Sequence, residues 1–360
     1  MKILALDIGA GTEDVLLYDD EKENIENCIK IVLPSPSQIF AAKIREATKL
    51  HQDVLIKGDI IGGGAFTSSL KKHIRAGYRV VMSENAAYTV RNNLDDVRAL
   101  GIEITRDNHL MRFHGETLIL EEVNITRLKE FLTNFNENFS DIDVVAIAIQ
   151  DHGVFPKRTS NRRVRIQTMK ELLETDSRPE VLAFMEDEVP SCFLRMKSAV
   201  ESSKRQLPKT KVLLMDTALA TIIWCLQDPV IAEKELVLAV NVGNGHTMAA
   251  IIFQGKIVGL LEHHTQALNP QKIEQLLIDF MNGKLSDDEV FKDGGHGLFF
   301  LEDAPCFSKI EQIAVTGPNR NILAQTNLPI HFASPAGDVM MTGPIGLVEV
   351  TKKKLGIHTN

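Results

Sequence analysis

The chain carries LALDIGAGTEDVLLYD at residues 4–19 and, 241 − 7 = 234 residues later, LAVNVGNGHTMAAIIF at residues 238–253. Each stretch reads as an apolar strand, a tight glycine-rich turn and a second apolar strand, and such a self-match points to a duplicated unit. A third strand follows each pair, at 28–33 and at 256–261, so both units open as an antiparallel meander. In both, the first strand ends in Asp or Asn, and glycines and a Thr follow. Asp7, Gly9, Gly11 and Thr12 match Asn241, Gly243, Gly245 and Thr247, with Asn244 between the second pair of glycines. That chemistry suits phosphate. Glycines let successive N–H groups converge on an anion, a Thr hydroxyl adds a donor, and a carboxylate at the strand end can hold hydrated Mg²⁺.

Outward from these turns the pattern is α/β. Ser37 is expected to cap a helix running to about residue 50, with extended structure resuming at 54–57. Apolar stretches at 79–82, 101–105 and 144–149 alternate with helices near 65–76, 88–100 and 125–136. Residues 151–207 read as polar loops and helices inserted between strands, with a basic run of Lys157, Arg158, Arg162, Arg163 and Arg165 taken as a solvated loop or an anion-recognition segment. Asp216 can cap a helix to about residue 227; a helix near 270–281, an irregular stretch at 293–297, a strand at 312–315 and an apolar C-terminal helix after Gly337 complete the chain. The stretch at 58–64, GDIIGGG, has neither dinucleotide-binding spacing nor a following Lys, and reads as a tight turn into a helix, lining an acceptor pocket.

With 360 residues, two domains are expected. Forty Lys and Arg against 48 Asp and Glu give a net charge of −8, a field that repels nucleic acid and anionic lipid, so neither is expected as a partner. Asp7 interrupts the N-terminal apolar run far short of a signal peptide, and no apolar stretch approaches the ~18 residues of a membrane span; a cytoplasmic location is expected. Cys28, Cys192, Cys225 and Cys306 are too scattered for a zinc site, a disulfide framework or an iron–sulfur cluster, and read as buried free thiols.

The paired hairpins resemble those of the actin, Hsp70 and sugar-kinase superfamily. The resemblance implies two ribonuclease-H-like (actin-like ATPase) domains with mixed sheets and an interdomain nucleotide cleft holding ATP and Mg²⁺. The turn Ile313-Ala314-Val315-Thr316-Gly317-Pro318-Asn319 resembles the superfamily's adenosine motif, with residues 320–323 opening a helix and Pro318 at its first position. The stretch from Gly337 to Pro344 resembles its connecting helix. On this reading residues 1–228 with 338–360 form the first domain, with the insertion at about 151–207, and residues 229–337 the second. Asp7 would hold Mg²⁺ through water; Gly9, Gly11, Thr12, Asn241, Gly243, Asn244, Gly245, Thr247, Thr316, Gly317 and Asn319 would hold the nucleotide. Asp151 would be the base that deprotonates a small-molecule acceptor. Asn241 departs from the usual Asp and lacks its charge. The function implied is phosphotransfer to such an acceptor; the alternative is a slow ATPase switch acting on a client protein.

Residues 150–153 (QDHG), 263–265 (HHT) and 294–297 (GGHG), together with the hairpins, resemble a family labelled pyruvate formate-lyase activating enzyme. The cysteine spacing, which offers no close triplet for a cluster, argues against the radical chemistry in that label. His152, His246, His263, His264 and His296 all fall in or beside Gly-rich motifs and are expected to line one cleft, with His152, His263, His264 and His296 meeting a substrate. Two readings stand: they hydrogen-bond phosphate or main-chain carbonyls, or two or three of them with Asp293 bind Zn²⁺ or Fe²⁺.

Overall fold

The computed structural model describes residues 1–106, 113–137, 139, 141–155 and 159–357. Strands β1 (Lys2–Ile8), β2 (Thr12–Asp19) and β3 (Ile29–Pro34) form the opening meander, and α1 (Pro36–Lys49) follows. Next come β4 (Val54–Gly58), α2 (Gly64–Arg75), β5 (Val80–Ser83), the short α3 (Glu84–Ala87) and α4 (Leu94–Arg98), β6 (Ile102–Thr105) and β7 (Glu116–Leu120). The chain then returns through α5 (Ile125–Thr133) to β8 (Val144–Ile149), α6 (Asn161–Thr175), β9 (Ala183–Met185), α7 (Leu194–Gln206), β10 (Lys211–Met215) and α8 (Thr217–Cys225). The second meander is β11 (Leu236–Val242), β12 (His246–Phe253) and β13 (Lys256–His264), followed by α9 (Pro270–Met281), α10 (Asp287–Lys292), β14 (Gly297–Phe300), β15 (Gln312–Thr316), β16 (Ile330–Phe332) and α11 (Thr342–Lys354).

Two six-stranded sheets share one plan. The first runs β3-β2-β1-β8-β10-β9 and the second β14-β13-β12-β11-β15-β16. In each, an antiparallel meander is extended by strands parallel to its first member: β8 and β10 follow β1, and β15 and β16 follow β11. That order, three antiparallel strands and then two parallel ones, is the ribonuclease-H-like arrangement twice over, with one antiparallel strand added at an edge of each sheet, β9 beside β10 and β14 beside β13, and the chain has the actin-like ATPase fold. A third, all-parallel sheet, β6-β5-β4-β7, is inserted between the meander and β8.

Helices α8 and α11 lie between the two large sheets in a common core with Ala5 and Ala146 of the first and Ala239 and Ala250 of the second. They cross so closely that a Cβ on Gly346 would collide with the carbonyl oxygen of Ala220, which is why a glycine stands there. The outer face of the first sheet is covered by α5 and α7, that of the second by α9, and α1 and α2 cover the inserted sheet. Among the described residues no helix is long and apolar enough to cross a membrane.

Several local expectations are corrected. Ser35, not Ser37, caps α1, accepting from Gln38 N at 3.4 Å with Pro36 at the first helical position; Ser37 is buried and accepts from Phe66 N, tying α1 to α2. Only 94–98 of the stretch at 88–100 forms an α-helix. The segment 151–207 holds two long helices and an edge strand, and Arg162, Arg163 and Arg165 ride on α6 rather than on a loop; Lys157 and Arg158 lie outside the described residues. Gly297 opens a strand where an irregular stretch was expected. Residues Arg320–Gln325 form a 3₁₀ helix with Asn319 at the position before its first residue, which leaves Pro318 outside its first turn. Of the cysteines only Cys28 and Cys225 are buried; Cys192 is half-buried and Cys306 exposed.

Candidate functional site

The duplicated turns face each other. Each is closed by the same main-chain hydrogen bond, Gly9 N to Thr12 O at 2.9 Å and Gly243 N to His246 O at 3.0 Å. Their tips touch, since a Cβ on Gly11 would stand 2.6 Å from Asn244 Nδ2. The equivalence corrects one match: the counterpart of Thr12 is His246. Thr247 pairs with Val242 as Glu13 pairs with Ile8. Thr247 is buried with its hydroxyl 3.0 Å from Thr265 Oγ1 and does not line the cavity below the turns.

That cavity has a volume of about 860 Å³. Asp7, Gly9, Gly11 and Thr12 line it from the first turn, Asn241, Gly243, Asn244 and Gly245 from the second, and Gly317, Asp151, His152 and His264 complete the expected set. The inserted sheet adds a wall of residues 60–64 with Tyr88, Thr89 and Asn92. Thr316 stays behind the lining, its hydroxyl 3.5 Å from that of Thr342. Asn319 donates from Nδ2 to Gly243 O at 3.1 Å and to Asn244 Oδ1 at 3.2 Å, and so holds the second turn rather than lining the cavity. Gly317 has φ +96°, and a Cβ there would stand 2.5 Å from Val242 O, so both its conformation and its neighbour require glycine.

Beneath the first turn lies a cluster of buried carboxylates. Burial, then the charge of Asp14, raises the Asp7 pKa well above the ordinary carboxylate range. Burial, with Glu122 and Asp14 adding to it, pushes Glu13 up to about 8. Burial takes Asp14 to about 7, the Thr12 hydroxyl at 3.4 Å pulling down and Asp338 pushing up. Asp7 Oδ1 and Asp14 Oδ1 are buried without a hydrogen-bond partner. Crowded anionic oxygens with unused lone pairs fit a hard divalent cation such as Mg²⁺.

Asp151 is also buried, and burial raises its pKa against two main-chain bonds: Oδ1 accepts from Gly153 N at 2.7 Å and Oδ2 from Met196 N, in the first turn of α7, at 3.0 Å. The basic run has a different role from the one expected. Arg165 is 4% exposed and bridges the two halves, its Nε 2.8 Å from Glu262 Oε2 on β13 and its Nη2 2.7 Å from Asp216 Oδ2 at the start of α8. Burial works against the charge, but both carboxylates outweigh it and raise the Arg165 pKa. Arg162 donates to Gly295 O and Arg163 pairs with Asp287, and both guanidinium groups lie over the Phe291 ring. These are clasps within the chain. Sequence reasoning missed Arg165, Asp216 and Glu262 as a unit; the signal available was Glu262, a lone acid in the strand KIVGLLEHH.

Four of the five singled-out histidines converge. Ring centroids are 4.7 Å apart for His246–His264 and for His246–His296, 4.9 Å for His264–His296 and 5.2 Å for His152–His296. Burial, then the Arg165 charge and the neighbouring imidazoles, lowers His152 well below its usual pKa; burial takes His246 down to about 3 and lowers His264 as well. His263 is excluded from the group. It points to the opposite face of β13, with Nε2 3.1 Å from Asp293 Oδ2, and Asp293 also pairs with Lys272. The expected combination of cleft histidines with Asp293 is therefore corrected: the carboxylate beside the cluster is Glu262, 3.0 Å from His296 Nδ1.

Residues 61–322 match the family described as "Putative pyruvate format-lyase activating enzyme (DUF1786)". The chain belongs to that family. An iron–sulfur activase would need clustered thiolates. Among the described residues, which include all four cysteines, the one group of three or more metal-ligating side chains contains no cysteine, so the family's description finds no such cluster here.

No curated protein matches the chain. Solved structures similar to it include a PilM–PilN type IV pilus biogenesis complex, at 11% identity and TM-score 0.42 over 100% of this chain and 99% of that one. The ethanolamine utilization protein EutJ from Carboxydothermus hydrogenoformans is 11% identical, with TM-score 0.32 over 96% and 89%. A ROK hexokinase from Thermus thermophilus is 11% identical, with TM-score 0.24; the match covers 72% of this chain and only 49%, about half, of the hexokinase. At these scores the likenesses carry no weight for activity, and the fold rests on the strand order.

Proposed function

We propose that the cavity binds a nucleoside triphosphate, ATP in the first instance, with Mg²⁺, and that the protein transfers the γ-phosphoryl group to a small acceptor. The observation that carries this reading is the pair of glycine turns meeting at their tips over one cavity, with unpartnered carboxylate oxygens of Asp7 and Asp14 beneath the first turn. The N–H groups of Gly9–Gly11 and Gly243–Gly245 would cradle the phosphates, and Asp7 would hold the cation through water. Magnesium, when bound, neutralises charge on the phosphoryl oxygens. Gly317 supplies the turn for adenosine, and the wall at 60–64 closes the acceptor side and excludes water. Asp151 is the candidate base, raised in pKa by burial and held in place by two N–H donors.

The first test is a nucleotide titration by calorimetry and thermal shift, with and without Mg²⁺. Indifference to every purine triphosphate would end the reading. Asp151→Asn, which keeps one acceptor oxygen for the Gly153 or Met196 N–H, is expected to abolish metabolite-stimulated ADP release while nucleotide affinity stays within about threefold, roughly 0.6 kcal/mol. Unchanged turnover would remove Asp151 from the chemistry.

Asn241 favours a second reading. Without a carboxylate at the end of β11 to hold metal-bound water, hydrolysis would be slow, as suits a switch whose closure is read by a client protein. ATP-dependent complex formation without metabolite-stimulated turnover would select it.

A further inference from the structure

Beside the second glycine turn the structure places three histidines from three separate segments. His152 follows β8, His246 is the first residue of β12, and His296 directly precedes β14. One ring nitrogen from each lies within 4.8 Å of the other two. His296 is fully buried with Nδ1 against Glu262 Oε2, yet its Nε2 has no hydrogen-bond partner, and the buried Nε2 of His246 has none either. Buried imidazole nitrogens left unpaired cost free energy unless something outside the chain satisfies them. Water or an organic donor could satisfy one such atom; convergence of three imidazoles at one point selects a metal ion.

We propose that His152, His246 and His296 bind a divalent transition metal, Zn²⁺ being the best match to an all-imidazole site. This goes beyond the nucleotide reading and does not depend on it. Tetrahedral Zn²⁺ with Zn–N bonds of about 2.0–2.1 Å would hold ligand nitrogens ~3.3 Å apart, so binding draws the three rings inward. Glu262 Oε2, 3.0 Å from His296 Nδ1, is placed as the orienting carboxylate behind a ligand. Its charge also stands between the ion and Arg165, which it pairs at 2.8 Å.

His152 and His246 line the cavity whereas His296 is behind them, so the fourth coordination position opens towards the cavity. A ligand oxygen there, from phosphate, carboxylate or hydroxyl, would be polarised by the ion. Because His152 belongs to the first half of the fold and His246 and His296 to the second, the ion would also staple the two halves.

The test uses the full chain stripped of metal by a chelator, in buffer free of nucleotide and phosphate. Calorimetric titration with Zn²⁺ is expected to show one site per chain, and Co²⁺ in its place is expected to give the intense visible absorption of a tetrahedral complex. His152→Ala and His246→Ala are each expected to weaken Zn²⁺ binding at least tenfold, while Cys306→Ser, at the exposed thiol, leaves it unchanged. Melting curves of the metal-free proteins establish that each variant is folded, and Zn²⁺ should raise the midpoint of the wild type but not of the histidine variants. Absence of a stoichiometric site, a weak octahedral cobalt spectrum, or affinity lost only in Cys306→Ser would overturn the proposal.

Discussion

The two glycine turns are the same main-chain object with opposite chemistry. Both are closed by an N–H to carbonyl bond of 2.9–3.0 Å, and both sit at the end of a buried strand paired in the same register. Beneath the first are Asp7, Glu13 and Asp14, all raised in pKa by burial, with the charge of Asp14 adding to the first two and that of Asp338 to the third. At the matching places of the second are Asn241, Thr247 and Met248, and His246 stands where Thr12 stands. A duplicated backbone has thus been kept while its side chains have divided the work: one turn gathers anionic oxygens suited to a hard cation, the other neutral imidazoles suited to a softer one.

Arg165 is the piece that joins the two environments, so its removal should have the largest effect. Arg165→Met would leave Asp216 on the first half and Glu262 on the second buried without their cation, and a loss of about 3–5 kcal/mol in urea unfolding is expected. Adding Glu262→Gln should recover part of that loss. A loss under about 1 kcal/mol in the single variant would mean that the halves do not depend on this bridge.

Next in size is the asymmetry itself. Asp7→Asn should weaken Mg²⁺-dependent nucleotide binding about 100-fold, about 2.7 kcal/mol, with little effect on binding in EDTA. Asn241→Asp at the equivalent place should change it less than tenfold, because no Mg²⁺ is assigned to the second turn. Equal effects of the two, measured by calorimetry, would show that the division of labour is false.

This division was partly legible in the sequence. The strands flanking the turns, the turns themselves and the Asp-to-Asn change are local, written in alternating apolar residues and glycines. The Thr12 correspondence was misread because two threonines were matched across an offset that the strand register does not allow. The split between His263 and His264 follows from period-two alternation on β13, yet which face met the cavity needed the sheet. Arg165 was least legible: on α6 it looks like its solvated neighbours, and only the fold brings its side chain, buried, to two distant acids on β13 and at the start of α8. Strands β9 and β16, of three residues each, lack the length to declare themselves.

The smallest expected effect concerns protons beneath the first turn. Glu13 and Asp14 have folded-state pKa values of about 8 and about 7, against ordinary values of 4.5 and 3.8. Between those limits the folded chain holds protons that the unfolded chain has released, so stability falls as pH rises and levels off above about 8. Each such proton is worth at most about 1.4 kcal/mol per pH unit. The window to use is pH 6.5–8.5, above the range in which the lowered histidines would act in the opposite sense. Without divalent cations the thermal midpoint should therefore drop across that window. Asp14→Asn should flatten the slope, and saturating Mg²⁺ should flatten it further by favouring the ionised carboxylates that bind it. A slope unchanged by either would mean that the acids under the first turn are no more burdened than the neutral groups under the second.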